Sequence, residues 1–79
     1  MKYLYFSAEW CAPCKSLAPI MNQVGQTIEV QKIDVDKQSE VASLYNIRSV
    51  PTVILIKAGI EVNRFSGVQS ASTYLNALK

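Results

Sequence analysis

The first part of the chain reads as a strand, a helix and a second strand, and this order restricts the fold more than any other feature. Lys2 to Ser7 is a short apolar run typical of a strand buried on both faces. From Ala12 to Val24 apolar residues recur with helical spacing, and Gly25 follows as a stop. Ile28 to Val35 predicts the second strand. Such a unit requires a parallel pair of strands joined by a right-handed crossover.

The rest of the chain predicts a helix, a hairpin and a final helix. The short helix is expected from about Ser39 to Asn46, and Thr52 to Lys57 is typical of a buried strand. The Ala58-Gly59 pair turns this strand into another one from Ile60 to Phe65, and Ser70 can cap the last helix. The predicted fold is therefore α/β, in the order β-α-β-α-β-β-α. A four-stranded mixed sheet would carry helices on both faces within one domain, residues 1–79.

The composition excludes several kinds of site. The 79 residues include no histidine, so the chain has no Ser–His or Cys–His catalytic pair and no zinc ligand of the imidazole type. The net charge is +2 with scattered basic residues, which argues against nucleic-acid binding. No run approaches the roughly 20 apolar residues of a membrane span, and the run after Lys2 is too short for a signal peptide. We therefore expect a cytoplasmic protein that does not bind membranes.

The two cysteines, Cys11 and Cys14, lie where the first strand is expected to meet the helix. A C-x-x-C pair in this context is typical of a dithiol redox site, because residues i and i+3 on a first helical turn face the same way. A disulfide that closes so short a loop adds little stability. Two inert core cysteines are one alternative. A zinc site completed by a second chain is the other.

The positions of the two cysteines predict different roles. Cys11 lies near the helix N-cap, where unpaired N–H groups and the positive helix end favour a thiolate. Pro13 is tolerated in the first turn, where its missing N–H has no helical partner. Cys14 is expected to be more buried and less often ionised. We predict that Cys11 attacks a substrate disulfide and that Cys14 resolves the mixed disulfide, with no cofactor or metal beyond this redox-active pair.

The stretch from Ala8 to Lys15, which contains Trp-Cys-Ala-Pro-Cys, resembles the active-site motif of the thioredoxin family. The resemblance covers nearly the whole chain and implies a thioredoxin-like three-layer sandwich in a short form that lacks the family's usual first strand and helix. The other segments that carry the resemblance are Pro19, Ile33 to Asp36, Ile47 to Thr52, Gly59 and Gly67.

The resemblance also implies a docking surface around the cysteines. The Val50–Pro51 peptide bond would be cis and face Cys11, and the Val50 backbone would pair with an extended substrate segment. The other implied members of this surface are Trp10, Ala12, Pro13, Gly67 and Val68.

The implied activity is reduction of protein disulfides by a monomer. Its implied partners are disulfide-containing proteins and an electron donor of the thioredoxin-reductase type. A glutaredoxin-like reductase that uses glutathione is one alternative, which Trp10 and the absence of tyrosine between the cysteines disfavour. A non-catalytic binding module that uses the apolar face around Trp10 is the other.

Two positions depart from the family pattern. The family has a buried acid six residues before the first cysteine, where this chain has Tyr5, and the lysine that accompanies this acid is expected at Val30. Both family residues are linked to proton transfer at the second cysteine. The departure therefore leaves open how Cys14 loses its proton.

Overall fold

Seven elements follow one another in the predicted order in the computed structural model, which describes residues 1–79. Wherever the sequence analysis predicts the first or last residue of a helix or strand, the observed residue lies within two positions of it. The strands are β1 (Lys2–Ser7), β2 (Glu29–Asp34), β3 (Thr52–Lys57) and β4 (Ile60–Ser66), and the helices are α1 (Ala12–Val24), α2 (Ser39–Leu44) and α3 (Ala71–Asn76).

The four strands form one mixed sheet in the order β2-β1-β3-β4, which confirms the predicted fold class. β1 is parallel to β2 and antiparallel to β3, and β3 is antiparallel to β4. Because β1 and β2 are parallel, their carboxyl ends lie side by side, with Ser7 opposite Asp34. The N–H of Cys11 donates to the carbonyl of Ala8 at 3.2 Å, so the chain turns from β1 directly into α1 at this edge.

Strand β1 is buried on both faces because helices cover both sides of the sheet. Tyr3 and Tyr5 belong to a core cluster with residues of α1 and α3. Leu4 and Phe6 point to the opposite face, where they pack in a second cluster with Ala42 of α2. The result is a three-layer arrangement in which the central strand positions the start of α1.

Candidate active site

The two cysteines form a disulfide at the start of α1, with their Cα atoms 5.3 Å apart. Cys11 is the N-cap of the helix, as predicted, and its Sγ accepts a hydrogen bond from the N–H of Cys14 at 3.2 Å. Pro13 stands in the first turn, where its missing N–H leaves no helical partner unsatisfied. The Cys11 sulfur therefore lies at the positive end of a 13-residue helix.

The exposure of the two cysteines differs from the prediction. Each residue is 4% exposed, so Cys14 is no more buried than Cys11. The reason is that the disulfide holds both sulfurs in a small apolar cluster with Ala8, against which Val35 and Val50 pack. Exposure therefore does not distinguish the two sulfurs in the disulfide form, whereas their positions on the helix do.

A shallow groove of about 140 Å³ lies next to the disulfide. Trp10 forms one side of it, with 70% of its surface exposed, and its Nε1–H donates to Oδ2 of Asp36 at 2.8 Å. The ring is thus held in place although it is open to solvent. The other residues that line the groove are Val35, Ile47, Arg48, Ser49 and Val50.

The segment before β3 completes the surroundings of the groove. The Val50–Pro51 peptide bond is cis, and the carbonyl of Pro51 accepts a hydrogen bond from the N–H of Gly67 at 2.9 Å. Gly67 has φ of +75°, in the left-handed region that favours glycine. The hydroxyl of Thr52 donates to the carbonyl of Ser49 at 2.8 Å, and this bond fixes the chain before and after the cis peptide bond.

The structure therefore brings Trp10 and Val50 together in the groove and links Pro51 to Gly67 beside it. The remaining members of the predicted surface are exposed residues in two places. Ala12 and Pro13 lie between the cysteines, and Val68, 41% exposed, follows Gly67 without a hydrogen bond or core contact to the cysteines.

Sequence reasoning missed five residues of this site, namely Asp36, Val35, Ile47, Arg48 and Ser49. A signal for the first two was available, because side chains that follow parallel strands gather at the carboxyl edge of a sheet. Asp36 and Val35 come directly after β2, at the edge where β1 leads into Cys11. Nothing comparable marks Ile47, Arg48 or Ser49 in the sequence.

The residue opposite Tyr5 on β2 is Lys32, so the expectation that placed the accompanying lysine's position at Val30 is wrong. The register pairs Tyr5 with Lys32 and Tyr3 with Val30. Val30 and Lys32 are two apart on one strand and share a face, so the face was correct and the position along it was not. The structure therefore places a lysine beside the tyrosine.

Tyr5 is buried, and its hydroxyl donates to the backbone carbonyl of Cys14 at 2.8 Å. Burial raises the pKa of Tyr5 above its ordinary value of about 10, and a hydrogen bond with the Ser7 side chain offsets part of the rise. The phenol is therefore neutral at neutral pH. A neutral phenol does not take up a proton from a thiol, so Tyr5 supports α1 rather than acting as a base.

No group of three or more His, Cys, Asp or Glu side chains is arranged to hold a metal ion. None of the three helices combines the length and the apolarity needed to span a bilayer. The redox-active group is the disulfide itself, which belongs to the polypeptide.

Comparisons with known proteins agree on one family. The family model named Thioredoxin matches residues 2–79. A thioredoxin-like protein of Synechocystis is 46% identical over 78 residues, which cover 94% of this chain and 74% of that protein. Thioredoxin 1 of Nostoc is 36% identical over 78 residues, with coverages of 94% and 73%.

Solved structures give the same result. Thioredoxin 1 of the thermophilic eubacterium Thermosipho africanus has a TM-score of 0.88 at 29% identity and is matched over 99% of this chain and 90% of that chain. Thioredoxin of Fasciola hepatica has a TM-score of 0.86 at 36% identity, with coverages of 98% and 75%.

The cysteine pair within disulfide distance and these relatives identify a thiol–disulfide oxidoreductase that acts on protein disulfides. The glutathione-dependent and non-catalytic alternatives are not favoured. On its sequence, its fold and its cysteine pair, the chain belongs to the thioredoxin family.

Proposed function

We propose that the chain reduces disulfides in protein substrates, with Cys11 as the attacking and Cys14 as the resolving cysteine. The observation that supports these roles is the N-cap position of Cys11, whose Sγ already accepts the N–H of Cys14. In the reduced protein the same N–H and the positive helix end favour the Cys11 thiolate. The thiolate, not the thiol, is the nucleophile in disulfide exchange.

The exchange has two steps. The Cys11 thiolate attacks one sulfur of the substrate disulfide, forms a mixed disulfide and releases the other substrate sulfur as a thiolate. Cys14 then loses its proton and attacks the Cys11 sulfur, which breaks the mixed disulfide and releases the second substrate sulfur. The substrate gains two electrons, and the protein is left with the Cys11–Cys14 disulfide.

Substrates are proposed to dock over the groove beside Cys11. Trp10 and Val50 offer apolar surface there, and the Val50 backbone lies next to the cysteine cluster. An extended substrate segment would pair with this backbone by strand addition. The rest of the proposed docking surface consists of Ala12, Pro13, Pro51, Gly67 and Val68.

The setting proposed for this activity is a reducing cytoplasm, where a monomeric domain of residues 1–79 accepts electrons from a reductase of the thioredoxin-reductase type. Such a compartment keeps accessible disulfides reduced. The scattered charge of the chain, +2 overall, offers no basic patch for nucleic acid.

A reductase assay tests the proposal. The chain is supplied with a disulfide-bonded protein and one of three donors: NADPH with a bacterial thioredoxin reductase, glutathione with glutathione reductase, or dithiothreitol. We expect turnover with the first and third donors and little with glutathione. Dithiothreitol needs no protein recognition, so turnover with it alone indicates a mismatched reductase. Turnover with glutathione alone would contradict the proposal.

A further inference from the structure

A second cavity, of about 300 Å³ and partly open to solvent, is lined by residues of α1, β1 and β2 and of the loop that joins β1 to α1. It does not share a lining residue with the groove beside Trp10. The side chains that line it carry hydroxyl, carboxylate and ammonium groups as well as the sulfur of Cys14. They are Tyr5, Ser7, Ala8, Glu9, Cys14, Lys15, Ala18, Lys32 and Asp34.

The resolving step needs a proton acceptor near Cys14. Cys14 is 4% exposed, and a buried thiol holds its proton more tightly than an exposed one. The positive helix end favours the thiolate of Cys11, the N-cap, rather than that of Cys14 within the first turn. A group that takes the proton from Cys14 would therefore speed the attack on the mixed disulfide.

Most of the polar groups on this cavity cannot be that acceptor at neutral pH. The phenol of Tyr5 is neutral and its proton is donated to the carbonyl of Cys14. The ammonium groups of Lys15 and Lys32 already carry their protons. The hydroxyl of Ser7 can pass a proton on but does not keep one. Only the carboxylates remain as bases.

The two carboxylates on the cavity, Glu9 and Asp34, differ in their surroundings. The Glu9 side chain is 80% exposed and forms an ion pair with Lys37 at 3.4 Å. Asp34 is half-buried at the end of β2, and its Oδ1 accepts the N–H groups of Asp36 at 2.9 Å and Lys37 at 3.3 Å. These two bonds fix the Asp34 carboxylate, and its other oxygen makes no hydrogen bond within the protein.

The strand register places Asp34 on the same cavity as Cys14, where a proton leaving Cys14 can reach it through water. Asp34 lies opposite Ser7, and Lys32 lies opposite Tyr5, on the face of the sheet that α1 covers. The cavity is large enough for water, and the Ser7 hydroxyl, the Lys32 ammonium and the Asp34 carboxylate give such water the polar partners it needs.

We propose that Asp34 accepts the proton of Cys14, through water in this cavity, when Cys14 resolves the mixed disulfide on Cys11; this inference rests on the proposed function. The thiol proton of Cys14 moves to water while that water gives a proton to the Asp34 carboxylate. The resulting thiolate attacks the Cys11 sulfur, a new Cys11–Cys14 bond forms, and the bond to the substrate sulfur breaks. The substrate leaves as a thiolate and takes a proton from Asp34 or from solvent.

The charges that face Cys14 from the surrounding elements set the pH dependence of this step. They are Lys15 on α1, Glu9 in the loop before it, and Lys32 and Asp34 on β2, with Tyr5 of β1 uncharged. With Asp34 as acceptor, the resolution rate is level across neutral pH. Without an acceptor, the rate rises about tenfold with each pH unit, because it follows the thiolate of Cys14.

The experiment isolates the resolving step. Reduced protein is mixed rapidly with an excess of a peptide dimer joined by one disulfide, quenched with acid at successive times, and analysed by mass spectrometry for the mixed disulfide. At high peptide concentration the observed rate no longer depends on the peptide and equals the resolution rate. It is measured from about pH 5 to about pH 9.

Three variants accompany the native chain. Asp34→Asn removes the carboxylate but keeps the Oδ1 that accepts the N–H groups of Asp36 and Lys37. Asp34→Glu keeps a carboxylate, and Glu9→Gln removes the other carboxylate on the same cavity. Circular dichroism and urea unfolding verify that each variant is folded.

We expect Asp34→Asn to slow resolution near pH 7 by about 100-fold, the lower end of what general-base catalysis contributes, and to give a rate that rises steeply with pH. Asp34→Glu should restore much of the level profile, and Glu9→Gln should leave it unchanged. The first step, formation of the mixed disulfide, should keep its rate in every variant.

Two results would overturn the proposal: coincident profiles for Asp34→Asn and the native chain, or a loss confined to Glu9→Gln. The native profile is an independent test that needs no variant, since a rate that rises about tenfold per pH unit through neutrality excludes a carboxylate acceptor. Failure of the proposed function looks different, because the native chain would then form no mixed disulfide at any pH.

Discussion

Single hydrogen bonds fix the two aromatic side chains that flank the cysteine pair. Trp10, although exposed, is held by Asp36, and Tyr5 is held beneath α1 by its bond to the Cys14 carbonyl. The first bond orients a surface on which a substrate can lie. The second fixes the helix that carries both sulfurs. The two bonds therefore predict separate consequences, one for substrate affinity and one for stability.

Replacing Trp10 should weaken the docking of protein substrates. We expect Trp10→Ala to raise KM for a protein disulfide about tenfold, which corresponds to about 1.4 kcal/mol of lost apolar contact. Asp36→Ala should raise KM by a smaller factor, because the ring stays but is no longer oriented. Leu44→Ala is the matched control, since Leu44 is 75% exposed on α2 away from the groove. Equal KM values for Trp10→Ala and Leu44→Ala in steady-state reductase assays would refute the docking surface.

Replacing Tyr5 by phenylalanine should lower stability by about 1 kcal/mol, because the Cys14 carbonyl loses the hydroxyl of its buried partner. The measurement is urea unfolding of the oxidised protein. Tyr45→Phe serves as the control, since the Tyr45 hydroxyl makes no hydrogen bond within the protein and its loss should change little. A Tyr5→Phe variant as stable as the native chain would show that the hydroxyl does not stabilise α1.

The patterns of apolar residues in strands and helices predict most of the fold, but they do not predict the register in which β1 pairs with β2. The apolar run of β1 and the helical spacing of α1 suffice to predict a parallel unit with the cysteines at its edge. The position opposite Tyr5 could not be predicted in the same way. Val30 and Lys32 share a face of β2, and a shift by two residues leaves the alternation of faces unchanged. For this reason the sequence identified the cysteines but not the cavity behind them.

The active site, too, has features that local sequence predicts and features that depend on tertiary packing. The N-cap position of Cys11 follows from local spacing and was predictable. The equal burial of Cys14 and Cys11 depends on Val35 and Val50, which approach from distant parts of the chain. Contacts of this kind are set by tertiary packing, so local pattern does not reveal them.

The hairpin between β3 and β4 offers a test of local backbone strain. Ala58 and Gly59 both have positive φ, +53° and +78°, as a two-residue turn of type I′ requires. In this left-handed region an alanine destabilises the folded state by about 1–2 kcal/mol relative to glycine. Glycine in turn lowers the free energy of unfolding by about 0.4–1 kcal/mol, because it raises the entropy of the unfolded chain. We expect Ala58→Gly to raise the free energy of unfolding by about 0.5 kcal/mol.

The reverse change at the neighbouring position is the control. Gly59→Ala meets no atom within 4 Å of the added Cβ, so its effect contains no steric clash in the folded state. It should lower the free energy of unfolding by about 0.5 kcal/mol, because the same two effects act with opposite sign. Urea unfolding of the two variants in parallel checks both signs, and a destabilised Ala58→Gly protein would contradict the turn.

Each face of the sheet carries its own core cluster, and the cluster under α1 and α3 is rich in tyrosine. Tyr3, Tyr74 and Phe65 pack edge to face, with ring centroids 5.2 to 6.4 Å apart. The hydroxyl of Tyr3 donates to the carbonyl of Tyr74 at 2.7 Å. This cluster lies under α1, the helix that carries the cysteines. Ionisation of its tyrosines would therefore destabilise the whole fold.

The buried tyrosines predict a loss of stability in alkali. Burial, with a smaller contribution from Tyr74, raises the pKa of Tyr3 to about 12, and burial also raises the pKa of Tyr5 and Tyr74. Above about pH 10 the unfolded chain releases these protons while the folded chain retains them. The stabilisation is therefore complete below about pH 10 and is lost as the pH rises towards about 12, with Tyr3 accounting for on the order of 2 kcal/mol.

Urea unfolding between about pH 8 and about pH 11 measures this loss. Tyr3→Phe should be less stable than the native chain at neutral pH, because the hydrogen bond to Tyr74 is gone. Its stability should nevertheless decline less steeply in alkali, so that the two curves converge. Parallel curves would show that Tyr3 does not contribute to the alkaline transition.

The disulfide, the groove and the cavity all lie where the carboxyl ends of β1 and β2 meet the start of α1. The groove offers apolar surface beside Cys11, and the cavity offers polar groups beside Cys14. This separation matches the two steps of thiol–disulfide exchange, in which one sulfur meets the substrate and the other must lose a proton.

The assignment of the two cysteines is tested most directly by trapping the mixed disulfide. Cys14→Ser and Cys11→Ser variants are incubated with a disulfide-bonded protein, and the adduct is located by peptide mass spectrometry. We expect Cys14→Ser to accumulate a mixed disulfide through Cys11, and Cys11→Ser to form almost none and to reduce no substrate. An adduct that accumulates on Cys14 in the Cys11→Ser protein, with none on Cys11 in the other variant, would contradict the assignment.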